Sequence, residues 1–189
     1  MKIKEIKIFQ VNLTMKEGHY SWSNQSFRSF DSTVVEIITN QGISGFGEIC
    51  PLGPSYLPSY SEGVRVGIKK LSEILLGKDP SNINNINFLM DNALKGHPYV
   101  KSAVDIACWD ILGKKMNIPV YTLLGGKLQS KVKLFKVISR DIPEIMQEKV
   151  NEYQEQGYQQ FQMKVGAEPI VDISRIRLVS KDLKAGNVL

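Results

Sequence analysis

The sequence has no uninterrupted apolar run of the ~18 or more residues that a membrane-spanning helix needs. Its first residues, Met1-Lys2-Ile3-Lys4-Glu5, lack the apolar stretch of a secretory leader. It has two cysteines in 189 residues, Cys50 and Cys108, and they form no C-x-x-C pair. A disulfide framework and a thiolate metal site are therefore disfavoured, and the expectation is two thiols in a reducing, cytoplasmic compartment. No basic block with interleaved aromatics occurs. The 24 Lys and Arg against 19 Asp and Glu leave a net charge of +5 scattered along the chain. That distribution argues against nucleic acid as a partner. H-E-x-x-H and G-x-S-x-G are missing. The phosphate-loop motif is missing too, because the Gly-Lys pairs at Gly77, Gly113 and Gly126 have no glycine five residues earlier. What remains, at 42% hydrophobic and 23% charged residues, is ordinary globular material.

The patterning divides the chain in two. Residues 3–13 alternate apolar with polar and residues 32–39 are rich in β-branched side chains, so both read as strands. Asn40-Gln41-Gly42 is a turn signal and residues 43–49 resume extended structure, which makes an antiparallel meander. Pro51, Pro54 and Pro58 hold the next stretch irregular as far as Ser61-Glu62-Gly63. Helical spacing then covers residues 64–76, 82–94 and 100–116. The third helix is apolar nearly all round, through Ala103, Val104, Ile106, Ala107, Cys108, Ile111 and Leu112, and is expected to lie buried between other elements. A short helical turn at 120–124 stops at Gly125-Gly126. Beyond the glycines the order becomes strand 132–139, helix 142–156, strand 159–165, helix 169–183. Repeated strand–helix units predict a parallel sheet, with the domain boundary at the glycine pair.

The segment Gln160-Phe161-Gln162-Met163-Lys164-Val165-Gly166 is the most informative of these. In an extended chain Gln162 and Lys164 share one face while Phe161, Met163 and Val165 share the other. Lys164 then stands at the C-terminal end of a strand, where (β/α) barrels place catalytic groups. Other charged residues have plainer readings. Asp105 and Asp110 are five residues apart, about 500° of helical rotation, so they do not share a face and read as structural. Glu48 reads as a turn-side carboxylate satisfying backbone amides, and His97, before Pro98, as a loop or cap residue.

Four stretches occur in order: Gly45-Phe46-Gly47-Glu48; residues 102–113, which carry Asp105 and Trp109-Asp110; Pro119-Val120-Tyr121-Thr122-Leu123-Leu124-Gly125-Gly126; and Phe161-Gln162-Met163-Lys164-Val165-Gly166. With them the whole chain resembles the enolase superfamily, in the muconate lactonizing enzyme subgroup of the mandelate racemase/muconate lactonizing enzyme family. The resemblance implies an α+β capping domain, residues 1–126, built from an antiparallel meander plus helices. Residues 127–189 would follow as the first two βα units of an incomplete α/β (β/α)7β barrel. It implies a full-length relative of roughly twice this length, and a chain ending at Leu189 that would be incomplete for catalysis.

The resemblance also assigns roles. Lys164 matches the lysine that abstracts or returns the proton on the carbon next to a carboxylate, in a racemase or epimerase acting on a small-molecule carboxylate. Many relatives carry another lysine two positions earlier, where this chain has Gln162; relatives with glutamine there include epimerases of proline betaine and hydroxyproline betaine. Gln162 is therefore a candidate for the substrate carboxylate. Tyr56 in the loop expected to fold over the barrel mouth, and His19 and Trp22 in an earlier mobile loop, are candidates for substrate contact, Tyr56 and Trp22 through cation–π attraction to a quaternary ammonium. Mg2+ is implied as cofactor, its ligands and the opposing lysine lying beyond Leu189, so that no metal ligand is assigned here. A homo-oligomer is expected, with neither nucleic acid nor membrane as partner. Dipeptide epimerase, muconate cycloisomerase and o-succinylbenzoate synthase activities stay open within the family, as does a non-catalytic fragment that self-associates.

Overall fold

The structure, a computed structural model, describes residues 1–166 and 168–189. In chain order its first elements are β1 (Ile3–Thr14), β2 (Tyr20–Trp22), β3 (Gln25–Phe27), β4 (Ser29–Thr39), β5 (Ser44–Ile49), α1 (Ser61–Leu75) and α2 (Ile83–Ala93). They are followed by α3 (Pro98–Met116), α4 (Val120–Leu123), β6 (Phe135–Ile138), α5 (Pro143–Glu155), β7 (Gln160–Met163) and α6 (Pro169–Lys181). The chain forms two compact units. One is Met1–Leu13 with Phe30–Leu128, and the other is Thr14–Ser29 with Gln129–Leu189. The change of unit after Leu128 falls two residues past Gly126, while residues 14–29 group with the later part of the chain.

In the first unit the sheet order is β1-β4-β5, the meander that the alternating residues predict. Thr33, Val35, Ile37 and Thr39 are buried along β4, the inward face of a strand covered on one side. The turn to β5 closes at Gly42, which takes φ +78, and Thr39 N–H donates to the Ile43 carbonyl at 3.0 Å. Helices α1, α2 and α3 cover the sheet around one core that includes Val35, Ile37, Ile68, Leu71, Met90, Val104 and Ile111. Arg65 of α1 grips both carboxylate oxygens of Asp31 at 2.9 Å, and the Ser61 hydroxyl donates to the Asp31 carbonyl. Such a fork-to-fork pair fixes the angle of α1 on β4 as well as its position.

The nearest approach in this unit is between β5 and α3. A Cβ on Gly45 would overlap the Ala107 carbonyl oxygen, and one on Gly47 would overlap that of Ala103. Asp110 accepts from the Phe46 N–H at 2.9 Å and from Lys114 Nζ at 2.6 Å, and Lys114 also reaches the Ser44 carbonyl. Asp110 thus satisfies an outward N–H of an edge strand, and Asp105 accepts from Asn87 of α2, so both are structural, as their spacing predicts. Glu48 takes the Ser32 hydroxyl at 2.5 Å. His97 holds the position before α3 with φ +51.

Helix α3 departs from expectation in one respect. Its buried face is Val100, Ala103, Val104, Ala107, Cys108 and Ile111, yet Ile106 is 48% exposed. Cys108 is fully buried, which with help from Asp105 pushes its thiol up to about 12; burial also raises half-buried Cys50. Thiolate is the nucleophile. At pH 8 an aromatic disulfide reagent is therefore expected to titrate Cys50 slowly and Cys108 only after denaturation. Two rapidly reacting thiols in the folded chain would contradict this packing.

In the second unit β6 and β7 pair in parallel, and α5 and α6 cover one face of the pair. Ile138, Met146, Val150, Tyr153, Phe161 and Val179 form its core. Both strands have four residues, shorter than their patterns predict, because the ladder runs only from Phe135↔Gln160 to Ile138↔Met163. Val132 and Leu134 lie outside it and are exposed. After α6, Phe161 N–H donates to the Val188 carbonyl and Val188 N–H to the Gln159 carbonyl, so a further parallel bridge begins on the free side of β7. Buried Gln154 organises that return, accepting from Lys184 N–H and the Asn187 amide while donating to the Asp182 carbonyl.

Candidate functional site

The site grows from the end of β7. Phe161 is 6% exposed and Met163 packs on the same core, so Gln160, Gln162 and Lys164 take the other face, the one the helices leave open. Lys164 extends the ladder one step past the strand, its N–H donating to the Ile138 carbonyl at 3.0 Å, and its side chain is half-buried. Gln162 is exposed one pleat earlier, opposite Val137 in the register. The face-sharing of Gln162 and Lys164 is as the alternation predicts.

Gly166 explains why the strand stops. It takes φ +127, its N–H donates to Asp172 of α6 at 2.9 Å, and a Cβ there would stand 2.6 Å from Ser23 Cα. Only glycine gives both the dihedral and the clearance. Ser23 belongs to the turn of a hairpin in which β2 and β3 pair antiparallel, Tyr20↔Phe27 to Trp22↔Gln25. The sequence reading treats this segment as a loop. Its strands are three residues each, and the Ser23-Asn24 turn lacks the Asn-Gly signature of short hairpins. Trp22 stacks on Phe27 with centroids 4.8 Å apart, and Tyr20 tilts against Trp22 at 5.0 Å.

The hairpin is fastened over both strand ends. Ser23 N–H donates to the Val165 carbonyl, Arg140 N–H to the Ser21 carbonyl at 2.9 Å, and the Ser139 hydroxyl to the His19 carbonyl. His19 Nε2 lies 3.3 Å from Asp141 Oδ2. Of the residues singled out in the sequence, Lys164, Gln162, Trp22 and His19 thus belong to this one unit. Tyr56 belongs to the first unit, in a turn closed by its N–H on the Gly53 carbonyl, and is 57% exposed. The sequence reading misses Ser139-Arg140-Asp141. The available signal is their place directly after a strand followed by a helix, the position that also marks Lys164.

A polar cluster holds the hairpin's leading leg. Glu17 pairs with Lys136 of β6 at 2.7 Å and accepts the Tyr153 hydroxyl, and the Lys136 ammonium lies over the Tyr153 ring at 4.5 Å. Burial alone would raise the Glu17 carboxyl, but the Lys136 and Tyr153 bonds outweigh it and hold it below its usual 4.5; burial and the Glu17 bond raise the Tyr153 phenol. A carboxylate depressed in the folded state contributes stability above its unfolded value that is lost as pH falls through the folded one. Amide exchange of Tyr20–Trp22, measured relative to the intrinsic rate at each pH, is therefore expected to accelerate below about pH 4.5 in the wild type. Glu17→Gln should raise it up to about fivefold at pH 7, the range of a partly exposed pair, and flatten the acid response. Unchanged exchange in the variant would mean that Glu17 does not hold the hairpin.

Among the described residues no group of three or more His, Cys, Asp or Glu side chains is placed to hold a metal ion, and no helix is long and apolar enough to cross a membrane.

Residues 3–125 match the family described as mandelate racemase / muconate lactonizing enzyme, N-terminal domain. The chain is 53% identical over its whole length to a cis-3-hydroxy-L-proline dehydratase of Roseibium aggregatum, of which it covers 52%. The crystal structure of N-succinyl Arg/Lys racemase from Bacillus cereus matches the whole chain with a TM-score of 0.93 at 34% identity, 51% of that protein being covered. A dipeptide epimerase from Enterococcus faecalis, solved with Mg and the dipeptide L-Leu-L-Tyr, matches it at 0.91 and 30% identity over 52% of its length. The chain spans about half the length of the curated relatives it matches.

Proposed function

This chain belongs to the mandelate racemase/muconate lactonizing enzyme family of the enolase superfamily, and on that footing we propose that Lys164 is the base that removes the proton α to the carboxylate of a small substrate. The observation that carries the reading is the open face at the end of β7, where Lys164 stands half-buried with the Gln162 amide one pleat before it. Removing such a proton leaves an enediolate. The reaction needs a base at the carbon and donors at the carboxylate oxygens, where the charge develops. Lys164 takes the first role, and the Gln162 amide donates to a carboxylate oxygen. The described residues do not supply a ligand set for the magnesium that the resemblance implies.

The fate of the enediolate depends on the β-carbon. With no leaving group there, a proton returns to the α-carbon and the outcome is racemisation or epimerisation, as in the names of the B. cereus and E. faecalis relatives. With a hydroxyl there, the electron pair forms a C=C bond, the C–O bond breaks, and hydroxide leaves as water with a proton equivalent to the one Lys164 took from the α-carbon, so that the sum is loss of one water. The dehydratase relative at 53% identity favours this second outcome. Both begin with the same abstraction by Lys164. The substrate we propose is a proline derivative, either N-methylated, where the Trp22 ring would face a quaternary ammonium, or carrying a 3-hydroxyl.

The two outcomes separate by mass. The full-length protein, incubated with proline betaine and separately with cis-3-hydroxy-L-proline, is expected to invert the first without change of mass or to remove one water from the second. Neither reaction would support a non-catalytic chain and overturn the assignment of activity to it.

A further inference from the structure

We propose that Arg140 and Arg28 form a binding site for an oxyanion, the carboxylate or phosphate group of a small molecule, in the cleft beside the β2–β3 hairpin. The cleft encloses about 680 Å³ and is lined by His19, Ser26, Arg28, Arg140, Asp141 and Arg175 among others, all within the second unit. Three guanidinium groups and one imidazole face it, against a single carboxylate.

The negative charge present is already committed. Asp141 faces His19 at 3.3 Å and gives its other oxygen to the Ile142 N–H. Arg175 spends Nε on the Asp141 carbonyl at 2.6 Å and Nη1 on Asp172 at 2.7 Å, so its charge is matched. The arginine ion pairs among the described residues are Arg65–Asp31 and Arg175–Asp172, which leaves Arg28 and Arg140 without a carboxylate. Arg140 Nε is moreover buried with no acceptor. A buried donor left unmade is unfavourable, and a guanidinium presents a fork that matches the oxygens of a carboxylate or phosphate. The backbone of Arg140 is fixed by its N–H on the Ser21 carbonyl. Ser26 accepts the Ser21 hydroxyl at 2.8 Å, which leaves the Ser26 proton to donate into the same cleft. The site therefore offers two unmatched cations, one buried unsatisfied N–H and one hydroxyl donor.

The test is titration of the chain, labelled with 15N in arginine, with inorganic phosphate and separately with succinate at constant ionic strength. The Arg140 Nε–H resonance is expected to shift saturably with at least one of them, phosphate alone indicating a phosphoryl ligand and succinate alone a carboxylate. Arg140→Gln is expected to weaken binding, read by calorimetry, by ~tenfold or more, the loss of one charge-assisted pair. Arg28→Gln should weaken it by a smaller factor; Arg28 is exposed, so this variant carries the test if Arg140→Gln does not fold. No saturable shift with either anion, or wild-type affinity in the folded variants, would overturn the proposal.

Discussion

Gly47→Val is expected to destabilise the first unit by about 3 kcal/mol or more, at the upper end of overpacking costs, and to lower its thermal midpoint by roughly 6–12 °C for a chain of this length. The reason lies in what a new side chain would meet. Its Cβ would overlap the Ala103 carbonyl oxygen and stand 2.9 Å from the Ala103 carbonyl carbon and the Ala107 nitrogen, all of them backbone of α3. A helix backbone cannot yield locally, so α3 must lift off β5 along the length that Gly45 and Gly47 now keep close. Lifting it also breaks the Asp110 bond to the Phe46 N–H and pulls Val104, Ala107 and Ile111 from the core. Gly63→Ala is the control. There the Cβ would meet atoms at 2.8 to 3.1 Å as well, but they belong to the Tyr60 ring, which is 54% exposed and can swing away. With the helix propensity of alanine added, that variant is expected to sit within ~1 kcal/mol of wild type. Equal midpoints for Gly47→Val and Gly63→Ala in calorimetry would contradict the close packing of β5 on α3.

Period-two and period-3.6 patterns made much of this fold legible, because β4, β5, α1, α2 and α3 each bury one face against a single core. The same period placed Gln162 and Lys164 together before any coordinate was needed. It failed where contacts, not periodicity, decide. The β2–β3 hairpin has too few residues to show alternation, and its partners lie far along the chain: His19 meets Ser139 across 120 positions and Glu17 meets Tyr153 across 136. Ser139, read as the last residue of a strand, and Arg140-Asp141, between that strand and the next helix, carried no mark of a site for the same reason. Gly166 was legible as the end of a strand, whereas the approach of Ser23 that requires a glycine there was not. Helix α3 looked apolar all round, yet Ile106 stays exposed, since periodicity tells which faces are apolar and not which of them a neighbour covers.

Lys164→Ala is expected to reduce exchange of the substrate α-hydrogen by ~10²–10⁴-fold, the contribution of a positioned general base. Lys164→Arg should be nearly as inactive. The guanidinium keeps its proton far above neutral pH, so it retains the charge while losing the ability to accept. Neither change should cost much stability. The tie of residue 164 to β6 is its backbone N–H on the Ile138 carbonyl, which both variants keep, and the side chain sits on the face away from the Phe161 core. A loss of exchange with an unchanged thermal midpoint therefore separates a chemical role from a structural one.

The most direct measurement of the central claim follows that hydrogen itself, by proton NMR in D₂O with the full-length protein, Mg²⁺ and a proline-type carboxylate. The account predicts that the α-proton signal decays with the wild type and persists with Lys164→Ala of the same fold and stability. Decay at the same rate with both proteins would contradict it, because the base would then be a group other than Lys164.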